Sequence, residues 1–148
     1  MEDWKKILDD IYSQAKRKGA CDKFPIFKGD ENIPHLSKLM FSPQGSEFCL
    51  KNRFPDMATI RMVKKYEDLQ ENNIYVDAGD IVLYDRDCFL IGKTHATIRL
   101  TTLRKYNCFL MHGAKAHIEA SGYSIVRVDN DAKSSYTIEK KDNAIILD

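Results

Sequence analysis

Ala96-Thr97-Ile98-Arg99-Leu100, Ala116-His117-Ile118-Glu119-Ala120 and Ser124-Ile125-Val126-Arg127-Val128 decide the fold. Each alternates a small or apolar residue with a mostly polar one, the period of a half-buried β-strand. Asp85-Arg86-Asp87, Gly92-Lys93-Thr94, Gly113, Ser121-Gly122, Asp129-Asn130-Asp131 and Lys140-Lys141-Asp142-Asn143 break the strands apart. The intervals are too short for helical crossovers between parallel neighbours. Eight aliphatic residues, Val82, Leu90, Ile98, Leu110, Ile118, Val126, Ile138 and Ile146, form a ladder with spacings of 8, 8, 12, 8, 8, 12 and 8. Taking every third member gives Val82/Leu110/Ile138, Leu90/Ile118/Ile146 and Ile98/Val126, which all recur at one constant interval. The expected fold is α+β: a helical segment over 1–72, followed over 73–148 by a short three-sided parallel β-solenoid of about 28 residues per coil, the two making one folding unit. The alternative is an antiparallel β-sandwich or meander with N-terminal helices.

On the three-sided register the ladder points inward. Ala96, Ala116, Ser124 and Ala144, two residues before ladder positions, suit a narrow interior. One outer face then carries Ile81, Leu83, Phe109 and Met111, an apolar patch that predicts docking of the N-terminal helices. A second carries Phe89 and Ile91, then His117 and Glu119, then Ile145 and Leu147. A third, carrying Thr97, Arg99, Thr101, Ile125, Arg127 and Asp129, reads as solvated. With no residues after Asp148 to cap the last coil, its open edge predicts a homo-oligomer or a protein partner there. Phe89, Ile91, Ile145 and Leu147 are the candidate partner surface.

The first half has helical periodicity. Trp4, Ile7, Leu8, Ile11, Tyr12 and Ala15 fall on one stripe, ended by Gly19. A connector follows from Phe24-Pro25 to Ile33-Pro34, and Leu36, Leu39 and Met40 predict a short helix. Ser42-Pro43 supplies an N-cap hydroxyl and a first-turn proline for another helix through Phe48, Cys49 and Leu50. After Phe54-Pro55-Asp56, Met57, Ile60 and Val63 share the face of a third, which Asn72-Asn73 closes off.

The chain has 148 residues, 43% of them hydrophobic and 30% charged, with a formal charge of +1. This balance gives no global attraction for nucleic acid or an anionic membrane. Met1-Glu2-Asp3-Trp4 opens directly into the amphipathic pattern without an apolar leader, and no stretch has the length of a membrane span, so the expected compartment is the cytoplasm. Cys21, Cys49, Cys88 and Cys108 form no C-x-x-C or zinc-like spacing and read as reduced, buried thiols.

Candidate chemistry is sparse. His95, His112, His117 and Glu119 are ligand types, but His112 and His117 are spaced too awkwardly to aim two rings at one point, so no metal, cofactor or catalytic residue is assigned. Arg99 and Arg127, one predicted coil apart, are candidate anion contacts. Glu119, Glu139, Asp129 and Asp131 fall on different faces and turns, which disfavours an enzyme acting on a polysaccharide. Lys51, Arg53, Arg61, Lys64 and Lys65 make the helices over 42–66 the candidate nucleic-acid contact, in a pair that outlines a helix-turn-helix.

Phe41-Ser42-Pro43-Gln44-Gly45-Ser46-Glu47-Phe48-Cys49, Phe54-Pro55, His112-Gly113-Ala114-Lys115-Ala116 and Ala120-Ser121-Gly122-Tyr123 resemble a group of short uncharacterised bacterial proteins with a helical start and a β-repeat end. The resemblance covers most of the chain. It implies a bacterial, cytoplasmic origin and transfers no activity. The functional expectation is a non-catalytic interaction or structural module that self-associates or binds a protein, with nucleic-acid binding as the alternative.

Overall fold

The computed structural model describes residues 2–19, 32–66 and 68–147. Cys21, the 24–31 part of the connector and Asp148 lie outside the described residues. The chain divides into two compact units between Asn72 and Asn73. No helix among the described residues is long and apolar enough to cross a membrane.

The helical unit holds α1 (Glu2–Arg17), α2 (Ile33–Phe41), α3 (Pro43–Asn52), α4 (Met57–Tyr66) and a 3-10 turn at Leu69–Asn72. Ile7, Leu8, Ile11 and Ala15 of α1 are buried, as are Ile60 and Val63 of α4, and these two helices pack together. Gly19 has φ +88 just beyond α1, the left-handed conformation its position requires. Gln14 lies buried inside the apolar stripe of α1. Its amide nitrogen donates to Thr59 Oγ1 at 2.6 Å, and its oxygen accepts from the Asp56 backbone N–H at 3.1 Å. A buried amide is tolerated because both ends are paired, and it fixes where α4 begins against α1.

The second unit is a parallel β-solenoid built from β1 (Ile74–Val76), β2 (Gly79–Tyr84), β3 (Cys88–Ile91), β4 (Thr94–Leu100), β5 (Lys105–Met111), β6 (Lys115–Ala120), β7 (Ile125–Asn130), β8 (Ser135–Lys140) and β9 (Ile145–Leu147). Odd-numbered strands form a five-stranded sheet in the order β1-β3-β5-β7-β9, and even-numbered strands a four-stranded sheet in the order β2-β4-β6-β8. Every pairing is parallel. The coil therefore has two strands, not three.

Its length is the separation of register partners. Leu90↔Leu110, Ile98↔Ile118↔Ile138 and Val126↔Ile146 each stand 20 apart, as do the hydrogen-bonded Arg99 and Glu119. The longer interval read from the ladder is not the coil. From Thr94 onward the interior takes the even-numbered positions: Ala96, Ile98, Leu100, Tyr106, Cys108, Leu110, Ala116, Ile118, Ala120, Val126 and Val128 are all in the buried core. Any even spacing then joins inward residues, so 28 looks as regular as 20, and only backbone pairing separates them. The first coil is shorter: the partners Tyr75↔Leu90 and Leu83↔Ile98 stand 15 apart, the separation also of Tyr84 and Arg99. An odd length reverses parity. In β2 it is Ile81 and Leu83 that pack inward, while Val82, a ladder member, is 51% exposed.

Corners repeat as well. Thr94, Ala114, Ser124, Ser134 and Ala144 are small and buried at the turns, where a tight bend leaves no room for more. Thr94 Oγ1 lies 2.9 Å from the Ile91 carbonyl oxygen and accepts from Ala78 N at 3.1 Å. Ser124 Oγ donates to the Ser121 oxygen at 2.8 Å. Corner aspartates bind the adjacent coil: Asp77, Asp85, Asp87, Asp131 and Asp142 accept from the backbone N–H of Lys93, Thr101, Asn107, His112 and Gly122, at 2.7–3.0 Å. Each satisfies a donor that the bend takes out of the sheet.

Candidate functional site

The two-strand register regroups the residues singled out in the sequence. Phe89 and Ile91 lie in β3 at 0% exposure, so they are not a partner surface. They stack on Phe109 and Met111 of β5, both buried, rather than on His117 and Glu119. Ile145 and Leu147 of β9 remain, 50% and 42% exposed. Arg99 is on β4 and Arg127 on β7, in different sheets, so the proposed two-arginine anion contact does not exist. Arg99 Nε donates to Glu119 Oε2 at 2.8 Å, and Arg127 Nη2 lies 3.8 Å from Asp129 Oδ2. Asp131 is consumed by structure, since it also accepts from the N–H groups of Lys133 and Ser134 at its own corner.

Lys51 lies in the last turn of α3, Arg53 is its left-handed C-cap with φ 48, and Arg61, Lys64 and Lys65 occupy the exposed side of α4. The apolar side of α4 carries the buried Ile60 and Val63. Arg61, Lys64 and Lys65 are thus the polar face of an amphipathic helix, while Lys51 and Arg53 belong to the end of the preceding one.

Two surfaces of the solenoid stand out. The first is its last coil. Among the described residues, β8 and β9 are paired on one side only, to β6 and β7. Tyr136, Ile138 and Ile146, whose equivalents in earlier coils are buried, are only partly covered here. Among the described residues the apolar core ends here, beside two strand edges that carry no further strand.

The second is the outer face of the four-stranded sheet. Parallel pairing sets outward residues into rows across it: Asp80, His95, Lys115 and Ser135; Val82, Thr97, His117 and Thr137; Tyr84, Arg99, Glu119 and Glu139. Arg99 faces Glu119 in the third row, and Glu119 in turn faces Glu139. Asp80 Oδ1 lies 3.6 Å from His95 Nδ1, and the Arg99 guanidinium sits 6.0 Å from the centre of the Tyr84 ring. The hydrogen bond to Glu119, reinforced by its charge, raises the Arg99 guanidinium above its ordinary range. A shallow cavity of about 420 Å3 opens over Asp80, Val82, His95, Thr97, Lys115 and His117. Beside it His117, Glu119 and Glu139 each bring one ligand-type atom to within 4.8 Å of the others. His117 Nδ1 lies 2.7 Å from Thr137 Oγ1, and its Nε2 lies 3.9 Å from Glu139 Oε1.

This grouping was hidden in the sequence because Glu119 and Glu139 stand one full coil apart, and the ladder's longer interval sets them on different faces. Their common parity with His117 was the available signal. Comparison of the chain with protein-family models, with curated proteins and with solved structures returns no match.

Proposed function

We propose that the protein is a non-catalytic interaction module that self-associates through the last coil of its solenoid. The supporting observation is the open end: two sheet edges, β8 and β9, flanking partly covered Ile138 and Ile146, with Ile145 and Leu147 exposed alongside. Unpaired strand edges next to apolar surface favour strand addition. The occupant must present two edges at the spacing of the two sheets. A second copy does so by construction, and a two-fold contact runs the joined strands antiparallel. Lys140 and Lys141 border the edge and limit growth beyond a closed pair. This reading keeps the bacterial, cytoplasmic setting that the resemblance implies.

Sedimentation of the full chain over rising concentration should show a monomer–dimer equilibrium. Ile145→Lys combined with Leu147→Lys should leave a monomer with unchanged β-sheet circular dichroism. A chain that stays monomeric throughout, or a double variant that still associates, rejects the assignment.

A further inference from the structure

Glu119 on β6 and Glu139 on β8 are register partners on adjacent strands of one sheet face. Like charges placed directly opposite repel. Arg99 offsets Glu119 from the β4 side, in contact at 2.8 Å. Glu139 sits on the edge strand, on the side of Glu119 away from that arginine. His117, two residues before Glu119 on the same face, directs Nε2 toward the Glu139 carboxylate. Its other nitrogen, Nδ1, is in hydrogen-bond contact with the Thr137 hydroxyl.

In the tautomer whose Nδ1–H donates to Thr137, the Nε2 lone pair faces the Glu139 carboxylate, and this is the tautomer a bound cation selects. That arrangement brings together two anions and a lone pair, and a cation between them relieves all three at once. A metal-bound imidazole is usually held by a hydrogen-bond acceptor on its far nitrogen, the place the Thr137 hydroxyl takes here.

We propose that His117, Glu119 and Glu139 bind one divalent cation of the zinc class on the outer face of the four-stranded sheet. A tetrahedral site with ligands roughly 2.0–2.2 Å from the ion sets them about 3.3–3.6 Å apart, so atoms that now lie within 4.8 Å of one another must draw in by up to about 1.5 Å, a movement that half-exposed carboxylates make by side-chain rotation. One imidazole with two carboxylates suits zinc. Calcium and magnesium prefer all-oxygen shells, the former with about six to eight ligands. The fourth position faces solvent. Three ligands on two hydrogen-bonded strands are already spaced by the sheet, so binding requires no folding step.

The test is calorimetric titration of the full-length chain with zinc chloride, with magnesium chloride as the comparison. One equivalent of zinc should bind, and magnesium should not compete. His117→Gln combined with Glu139→Gln should abolish binding, while His95→Gln should leave it intact. Thr137→Val should weaken it about tenfold, as loss of an orienting partner does. Nitrogen NMR of the unmodified protein gives an independent reading, because zinc should shift His117 Nε2 rather than any other imidazole. Absence of stoichiometric binding, retention of binding in the double variant, or a shift at another histidine overturns the proposal.

Discussion

Cys49 is 1% exposed in the helical unit, and burial pushes its thiol from an ordinary 9.0 up to about 12. The cause is desolvation, which penalises the thiolate. Cys88 and Cys108 are register partners with no exposure, and Cys88 is raised by its hydrogen bond to Cys108 and then by burial. These thiols are inert in the folded protein. A thiol reagent should label none of the three until denaturant is added, and rapid native-state labelling at Cys49, Cys88 or Cys108, located by peptide mapping, would contradict the burial. The pH dependence follows from linkage. Between 9 and 12 folded Cys49 keeps its proton and the unfolded thiol loses it, so the unfolded state binds fewer protons and stability falls as pH rises. The loss is about 1 kcal/mol per pH unit within that window and none below it. Denaturant melts near about pH 8 and about pH 10 should show wild type losing more stability than Cys49→Ala; equal losses would place the slope elsewhere.

At the scale of elements, the junction of α2 and α3 shows what a short motif encodes. Ser42 and Pro43 start α3 as their chemistry predicts: the Ser42 hydroxyl accepts from Gly45 N–H at 3.0 Å and donates to the Leu39 oxygen at 2.6 Å. Gly45 has a reason that periodicity does not reveal. A Cβ there would stand 1.7 Å from the Leu39 carbonyl oxygen, a backbone atom that cannot rotate away. Gly45→Ala should therefore destabilise the helical unit by about 3 kcal/mol despite its higher helix propensity, as judged by chemical denaturation. A neutral or stabilising effect would mean that the two helices separate freely. Helices were legible because capping and the apolar stripe are local. The buried Gln14 clamp was not, since its partners Thr59 and Asp56 are distant in sequence.

For the whole molecule, register is the decisive quantity. On the three-sided register Val82 and Ile118 both face the interior, whereas the two-strand coil with its shorter first turn leaves Val82 at 51% exposure and Ile118 at 0%. Ile118→Asp should unfold the solenoid, because a buried unpaired carboxylate costs several kcal/mol, while Val82→Asp should stay folded with a melting temperature within a few degrees of wild type. Equal damage from both would restore the three-sided register. The alternation of inward and outward residues, the small corner residues and the parallel solenoid class are set by the sequence alone, since strand periodicity is a property of neighbouring residues. Coil length, the exclusion of Phe89 and Ile91 from the surface and the meeting of His117 with Glu119 and Glu139 were decided by tertiary structure. Parity is blind to which even-numbered residue lies beside which. Only hydrogen bonds between successive coils choose one spacing among 8, 12, 20 and 28, and that choice determines which side chains share a face.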